Sequence, residues 1–168
     1  MHLDSKTEEK VMRAINGDIS AYGDLYEIYA LDMYKYALRI CKNPQDAEDA
    51  VQETALSVFK SIKNLKNPRK FKAYLFSSLA NNCKRTIAED KGLELNEGIS
   101  YTEEHTDDNL FVRDALSGLD DQSREIVCLT VLGGFKSHEV AKMLQIPAST
   151  VRTKLKRSLE KLEKELRV

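Results

Sequence analysis

Residues 46–53, DAEDAVQE, bring together four carboxylates and one amide: Asp46, Glu48, Asp49, Gln52 and Glu53. Carboxylates at this density can bind a metal ion, transfer protons, coat a solvated helix or contact a partner protein. On a helix that turns about 100° per residue, Asp46, Asp49 and Glu53 fall on one side. That side is roughly opposite the stripe expected to pack in the core, Ala47, Val51, Thr54 and Val58.

No histidine or second acidic cluster stands near this segment to complete a metal site, so we expect no bound metal. An outward face also lacks the enclosed pocket that would shift a carboxylate pKa for acid/base catalysis. Chemistry alone leaves two interpretations, a solvated face, which it favours, and a face for a partner protein.

Residues 60–72, KSIKNLKNPRKFK, form a basic segment with six cations and no acid. Single-stranded DNA requires cations for its phosphates and flat rings for its bases, and Phe71, Tyr74 and Phe76 lie in or just after this segment. The alternative is that Phe71 and Tyr74 pack in the core and the lysines solubilise a loop. We favour the core for these two rings, and the residues alone leave DNA binding and simple solubilisation both open for the loop.

Residues 137–157, SHEVAKMLQIPASTVRTKLKR, predict a helix-turn-helix. Ser137 is expected to cap a helix through Leu144, residues 145–147 to form a tight turn, and Ala148 to begin the second helix. The apolar residues that would join the two helices are Val140, Leu144, Ile146, Val151 and Leu155. Gln145 replaces the glycine often favoured in the turn, and Pro147 leaves the second helix without a Ser or Thr cap.

The outward side of the second predicted helix is polar and net positive. An ordinary helical hairpin with a solvated face is the alternative to DNA binding, which we favour. For base edges in the major groove we select Arg152, Thr153 and Lys156, since arginine can bond guanine through two atoms. Phosphate contacts, which position without specifying, are expected from Ser149, Lys154 and Arg157.

The elements that must position these residues are all helical, because apolar residues recur three or four apart throughout and never alternate for long. Asn43-Pro44 and Asn67-Pro68 are helix starts, with asparagine as cap. The net charges of residues 1–88, 89–110 and 111–168 are +3, −7 and +3. We predict an all-α fold with two small helical domains, residues 1–88 and 109–168, joined by a flexible acidic linker at 89–108, with three or four helices before it and four after it.

Several classes of protein are disfavoured by what the sequence lacks. No apolar run approaches the ~20 residues of a membrane span, so we expect a cytoplasmic protein without membrane insertion. Cys41, Cys83 and Cys128 form no CxxC motif and are expected to be reduced and buried. No nucleophile–base set, phosphate loop or ligand cluster points to an enzyme, a cofactor or a small-molecule substrate.

Three segments together resemble an extracytoplasmic-function sigma factor of the sigma-70 family: DAEDAVQETALSVF, FKAYLFSSLANN and residues 116–162, which include the helix-turn-helix. The resemblance implies that residues 46–53 dock on core RNA polymerase, which reverses the preference for a merely solvated face. It implies that the second domain reads the duplex upstream promoter element. It also implies an anti-sigma factor as a further partner, besides the polymerase and promoter DNA.

The resemblance further implies that the first domain captures the unwound downstream promoter element and holds a flipped base. The residues expected to do so are Lys63, Lys66, Arg69, Lys70, Asn81, Asn82, Lys84 and Arg85. After Arg85 the chain reads TIAEDKG, where the family often continues basic, so duplex contacts are not expected beyond it. The alternative function is a stand-alone helix-turn-helix regulator that binds DNA without polymerase.

Overall fold

The computed structural model describes residues 3–90 and 107–167, and the side chains of residues 3–89 and 112–167. Every regular element in these ranges is helical, which confirms the all-α prediction. The chain divides into two compact units, Met1–Ala88 and Glu89–Val168. Eight α-helices occur in the described ranges: α1 Ser5–Ile15, α2 Ile19–Cys41, α3 Pro44–Ser61, α4 Phe71–Asp90, α5 Asp107–Ser117, α6 Asp121–Val131, α7 Ser137–Leu144 and α8 Ala148–Leu166.

Helix starts in the N-terminal unit are fixed by side-chain caps. Asp4 accepts from the Thr7 N–H at 2.7 Å to begin α1, and Asp18 accepts from the Ala21 N–H at 3.0 Å to begin α2. As predicted, Asn43 caps α3, accepting from the Gln45 N–H at 2.8 Å. Such caps satisfy amide groups that have no partner within the helix.

The basic segment 60–72 is shaped by two 3-10 turns, Ile62–Asn64 and Pro68–Lys70, rather than by a helix start at Pro68. Asn67 caps the second turn by accepting from the Arg69 N–H at 3.1 Å, and α4 follows from Phe71. Helix α1 packs against α2 and against both turns. The first residues of the chain therefore help to hold the basic segment.

The core of the N-terminal unit joins α2 to α3 and α4. Aromatic rings pair between α2 and α4, with centroids 5.9 Å apart both for Tyr29 with Phe71 and for Tyr36 with Phe76. Burial raises the pKa of the Tyr29 hydroxyl to about 12, and the carboxylates of Asp4 and Asp32 contribute less. Buried aromatics supply much of the apolar area that stabilises so small a unit.

In the C-terminal unit, the middle of α6, residues 123–129, is buried, and α7 and α8 pack on this helix. Gly133, just after α6, is required by space: a Cβ there would lie 2.6 Å from the Leu129 carbonyl oxygen and 2.7 Å from the Phe135 ring. The predicted linker, 89–108, overlaps the end of α4 and the start of α5, and its residues 91–106 lie outside the described ranges.

Candidate nucleic-acid and protein interfaces

The acidic residues of α3 lie on its outward side. Glu48, Asp49, Gln52 and Glu53 are exposed and Asp46 is half-buried, whereas Ala47, Ala50, Val51, Thr54 and Val58 are buried. Among the described residues, no group of three or more His, Cys, Asp or Glu is placed to hold a metal ion. Asp49 and Glu53 are like charges one turn apart, which costs about 0.2–0.5 kcal/mol in a helix. What the arrangement offers is an anionic helix face.

One of these acids is already paired. A carboxylate oxygen of Glu53 lies 3.7 Å from a guanidinium nitrogen of Arg85 on α4. Glu53 is expected on the polymerase face and Arg85 on the DNA face, and the structure brings the two side chains together. Both side chains are about half exposed, so water screens the pair.

The cations of the basic segment differ in their surroundings. Lys63 and Lys70 are exposed on the two 3-10 turns, and Lys66 is exposed between them. Arg69 donates to both carboxylate oxygens of Glu8 on α1 at 3.3 Å, so its charge is partly balanced. These residues form one exposed basic surface within the N-terminal unit.

The aromatic residues beside that segment do not present flat faces to bases. Phe71 and Phe76 are 1% and 0% exposed, so the prediction that Phe71 belongs to the core is confirmed, and Phe76 joins it. Tyr74 is half-buried, and its hydroxyl bonds the hydroxyl of Ser61. Stacking of bases on Phe71 or Phe76 is therefore not available in this conformation.

The polar residues predicted on α4 lie in two environments. Asn81, Lys84 and Arg85 are exposed. Asn82 is half-buried, and its amide nitrogen donates to the hydroxyl oxygen of Thr54 on α3 at 2.9 Å. The pattern of asparagines in the sequence did not reveal this bond.

The helix-turn-helix prediction is confirmed. Helices α7 and α8 are joined at Gln145, which takes the left-handed conformation at φ 56° that glycine usually supplies. The turn closes through the Ile146 N–H, which donates to the Ala141 carbonyl at 3.1 Å. Val140 and Val151 are fully buried between the helices; the other predicted joining residues, Leu144, Ile146 and Leu155, are half-buried.

The prediction that Ser137 caps α7 is wrong. Ser137 is the first helical residue, and Lys136 occupies the cap position. The Glu139 carboxylate accepts from the Lys136 N–H at 2.7 Å and stabilises this helix start instead. In a capping box, a glutamate three residues after the cap accepts from the cap residue's N–H, and this helix has that bond.

The residues of α8 that were predicted to contact DNA differ in exposure. Ser149, Arg152, Thr153, Lys156 and Arg157 are exposed. Lys154 is half-buried, and its ammonium lies 3.4 Å from a carboxylate oxygen of Asp120. The hydrogen bonds from Ser123, and secondarily the charge of Lys154, lower the pKa of Asp120 to about 2.

The turn between α5 and α6 contains contacts that sequence reasoning missed. Arg124 is 4% exposed and donates to the Leu116 and Leu119 carbonyl oxygens at 3.0 and 2.6 Å. From α8, Lys161 donates to the Gly118 carbonyl at 2.7 Å. The run DDQS could have indicated Asp120 as the cap of α6, because aspartate is a preferred cap residue. Its carboxylate accepts from the N–H three residues later, here that of Ser123. No local signal marks the burial of Arg124.

Comparison with known proteins decides between the two functions that the sequence left open. The family model for sigma-70 region 2 matches residues 25–92, and the model for sigma-70 region 4 matches residues 112–162. The chain belongs to the sigma-70 family. It is an extracytoplasmic-function sigma factor, a transcription initiation factor that acts with RNA polymerase. A stand-alone helix-turn-helix regulator is not favoured, because the region 2 match covers the half of the chain without that motif.

Relatives of this sigma factor match it over most of their length. The ECF RNA polymerase sigma factor SigW of Bacillus subtilis is 24% identical over 98% of this chain and 99% of its own length. The RNA polymerase sigma factor CnrH of Cupriavidus metallidurans is 25% identical over 89% of this chain and 88% of its own.

Solved structures share the fold. CnrH in complex with the cytosolic domain of CnrY superposes with a TM-score of 0.76 at 22% identity, covering 95% of this chain and 96% of that one. RpoE of Bartonella quintana in complex with the anti-sigma factor NepR gives 0.69 at 21% identity, covering 86% and 98%. In the described part of this sigma factor, none of the helices is long and apolar enough to cross a membrane.

Proposed function

We propose that this sigma factor docks on core RNA polymerase through the acidic face of α3, residues 46–53. The observation that supports it is the exposure of Glu48, Asp49, Gln52 and Glu53 on a helix whose opposite side is buried. The like-charge pair of Asp49 and Glu53 costs the protein some stability. A cationic partner surface would give these two acids a function that explains why the pair is present. The family resemblance points to the clamp coiled coil of the largest polymerase subunit as that surface.

The same unit is proposed to hold the unwound strand of the downstream promoter element. Lys63, Lys66 and Lys70 are exposed on and between the 3-10 turns, and Asn81, Lys84 and Arg85 are exposed on α4. Cations near phosphates give affinity without reading sequence. Because Phe71 and Phe76 are buried, base recognition falls to polar groups, with Asn82 as the proposed contact to a flipped base.

The C-terminal unit is proposed to place α8 in the major groove of the upstream element. Arg152, Thr153 and Lys156 are the proposed base contacts, and Ser149 and Arg157 the proposed phosphate contacts. Lys154 is also proposed to contact a phosphate. Because it already pairs with Asp120, its phosphate contact is the weakest of the three.

Two further parts of the proposal follow from family membership. Since CnrH and RpoE were solved with CnrY and the anti-sigma factor NepR, we propose that an anti-sigma factor also regulates this chain. Sigma factors are non-enzymatic, and the polymerase is proposed to supply all the catalysis in the cytoplasm.

The docking proposal is tested with Asp49→Lys and a matched control, Glu9→Lys, which reverses an exposed acid on α1. Asp49→Lys converts a like-charge pair with Glu53 into a favourable one, so the melting temperature should hold or rise slightly. Binding to core polymerase should fall tenfold or more, about 1.4 kcal/mol, while the control binds as wild type. Equal binding by both variants would contradict the proposed docking face.

A further inference from the structure

The basic segment, residues 60–72, is paired with an anion that comes from the first helix of the chain. The segment contains no acid of its own. The Arg69 Nε–H donates to both carboxylate oxygens of Glu8 on α1, at 3.3 Å each. The two residues are 61 positions apart in the sequence, and the packing of α1 against both 3-10 turns brings them together.

The backbone of the basic segment is held by contacts other than this ion pair. The Leu65 N–H donates to the Ile62 carbonyl oxygen and the Lys70 N–H to the Asn67 carbonyl oxygen, both at 3.0 Å. Ile62 is buried, and so is the inner side of α1, which consists of Thr7, Val11 and Ala14. An ion pair open to water adds little to such a frame. The contact between Glu8 and Arg69 is therefore not needed to shape the segment.

Arg69 has the exposure and the chemistry of a phosphate site. Its side chain is 60% exposed, against 30% for that of Glu8. A guanidinium carries five N–H donors in a planar fork, which fits the oxygens of a carboxylate and those of a phosphate alike. Because Glu8 engages the Nε–H, its carboxylate occupies a position on Arg69 that a phosphodiester oxygen would take.

We propose that Glu8 is a competitor, built into the chain, for the DNA phosphate that Arg69 binds. The inference rests on the proposed function, in which the basic segment binds the unwound promoter strand. When the strand arrives, Arg69 exchanges one anion for another, so its net contribution to affinity is small. Lys70, which has no ion-pair partner among the described residues, gains a phosphate without giving up a carboxylate.

Two other roles for Glu8 predict different results. If Glu8 positioned the Arg69 guanidinium for DNA, removal of its charge would lower the affinity for a single strand. If the pair only stabilised the fold, removal would lower the melting temperature and leave the affinity unchanged. A competitor predicts a gain in affinity, and a gain that requires Arg69.

The experiment titrates a fluorescent oligothymidylate with the full chain over a range of salt concentrations. Glu8→Gln keeps the size of the side chain and removes its charge. It should bind roughly two- to fivefold more tightly than wild type, the range expected for one exposed ion pair. Its affinity should also fall more steeply with salt, by up to about 0.7 in the logarithmic slope, the value of one phosphate contact on a single strand. Glu9→Gln, which neutralises the neighbouring exposed acid of α1, is the control and should change the affinity much less.

Arg69→Ala and Lys70→Ala complete the test. In the wild-type background Arg69→Ala should cost less affinity than Lys70→Ala. The double variant Glu8→Gln/Arg69→Ala should bind no more tightly than Arg69→Ala, since the two residues act as a pair. A gain from Glu8→Gln that persists without Arg69 would overturn the inference, because net charge alone would explain it.

The same titrations separate this inference from the proposed function. Equal or lower affinity of Glu8→Gln, together with a loss in Lys70→Ala, would overturn the competitor and leave the strand contact of the basic segment standing. Binding that none of the cation substitutions weakens at low salt, or no binding at all, would overturn the strand contact and the competitor together.

Discussion

A guanidinium nitrogen of Arg85 lies 3.7 Å from a carboxylate oxygen of Glu53, so the acidic side of α3 and the basic side of α4 meet in one ion pair. Each residue belongs to a different proposed interface, one for polymerase and one for DNA. Engagement of Glu53 by a cationic polymerase surface would weaken its hold on Arg85 and favour the approach of a phosphate.

Glu53→Gln tests this relationship. The pair is half exposed, so its loss should change the free energy of unfolding by less than about 1 kcal/mol. Affinity for a single strand should rise modestly, because an acid beside the DNA surface is removed. Arg85→Ala should lower that affinity and reduce the salt dependence by about 0.7 per lost phosphate contact. Titrations over a range of salt, with Glu9→Gln as control, measure both; an unchanged salt slope in Arg85→Ala would exclude a phosphate contact.

Substitutions on α8 should separate base contacts from phosphate contacts. Arg152→Ala and Lys156→Ala should each cost about 1–3 kcal/mol on the preferred duplex and relax selection at one position. Lys154→Ala should weaken all duplexes alike and by less, because Asp120 already shares its charge. Lys164→Ala, an exposed lysine in the last turn of α8, is the control. Uniform losses from all three variants would contradict the division of roles.

Arg124 should be the most sensitive cation of the C-terminal unit to replacement. Arg124→Met leaves the buried Leu119 carbonyl without its donor, at about 1–3 kcal/mol, and removes one of the two donors to the Leu116 carbonyl, which still accepts from the Leu119 N–H. Arg113→Met, on the exposed side of α5, should stay within about 0.5 kcal/mol of wild type. Urea unfolding followed by circular dichroism compares the two. Equal stability of both variants would mean that water replaces the guanidinium.

Asp120 makes the free energy of unfolding depend on pH in the acid range. Its pKa is about 2 in the folded chain against 3.8 ordinarily, through hydrogen bonds from Ser123 and then the charge of Lys154. The folded state therefore binds this proton less tightly than the unfolded state. The stabilisation is present above about pH 4 and is lost as the pH falls toward 2. Because the side chain is largely exposed, the effect is modest.

Asp120→Asn keeps a cap for α6 and removes the titrating group. Its unfolding free energy should fall less steeply than that of wild type between about pH 4 and pH 2. Other acids with lowered pKa values, Asp4 and Asp18, are common to both chains and cancel in the comparison. Parallel curves would show that Asp120 does not contribute.

The sequence was sufficient wherever a local pattern determines structure. The cap at Asn43, the turn at 145–147 and the outward acids of α3 follow from spacing and short-range chemistry. Pairings between residues far apart in the sequence were not predictable, because no local sequence pattern indicates which side chains will contact each other. Glu53 with Arg85, Glu8 with Arg69, and Thr54 with Asn82 are of this kind. Ser137 is not the cap because the helix already begins at Ser137, with Lys136 in the cap position and its N–H bonded to Glu139.

Transcription by core polymerase on genomic DNA fragments, with and without the chain, tests the sigma function most directly. With wild type, new transcripts should begin at a small set of fixed positions whose upstream sequences share two elements. With Asp49→Lys at the same concentration, those transcripts should be lost while transcription from other positions is unchanged. Transcripts that begin at the same positions with or without the chain would contradict the account.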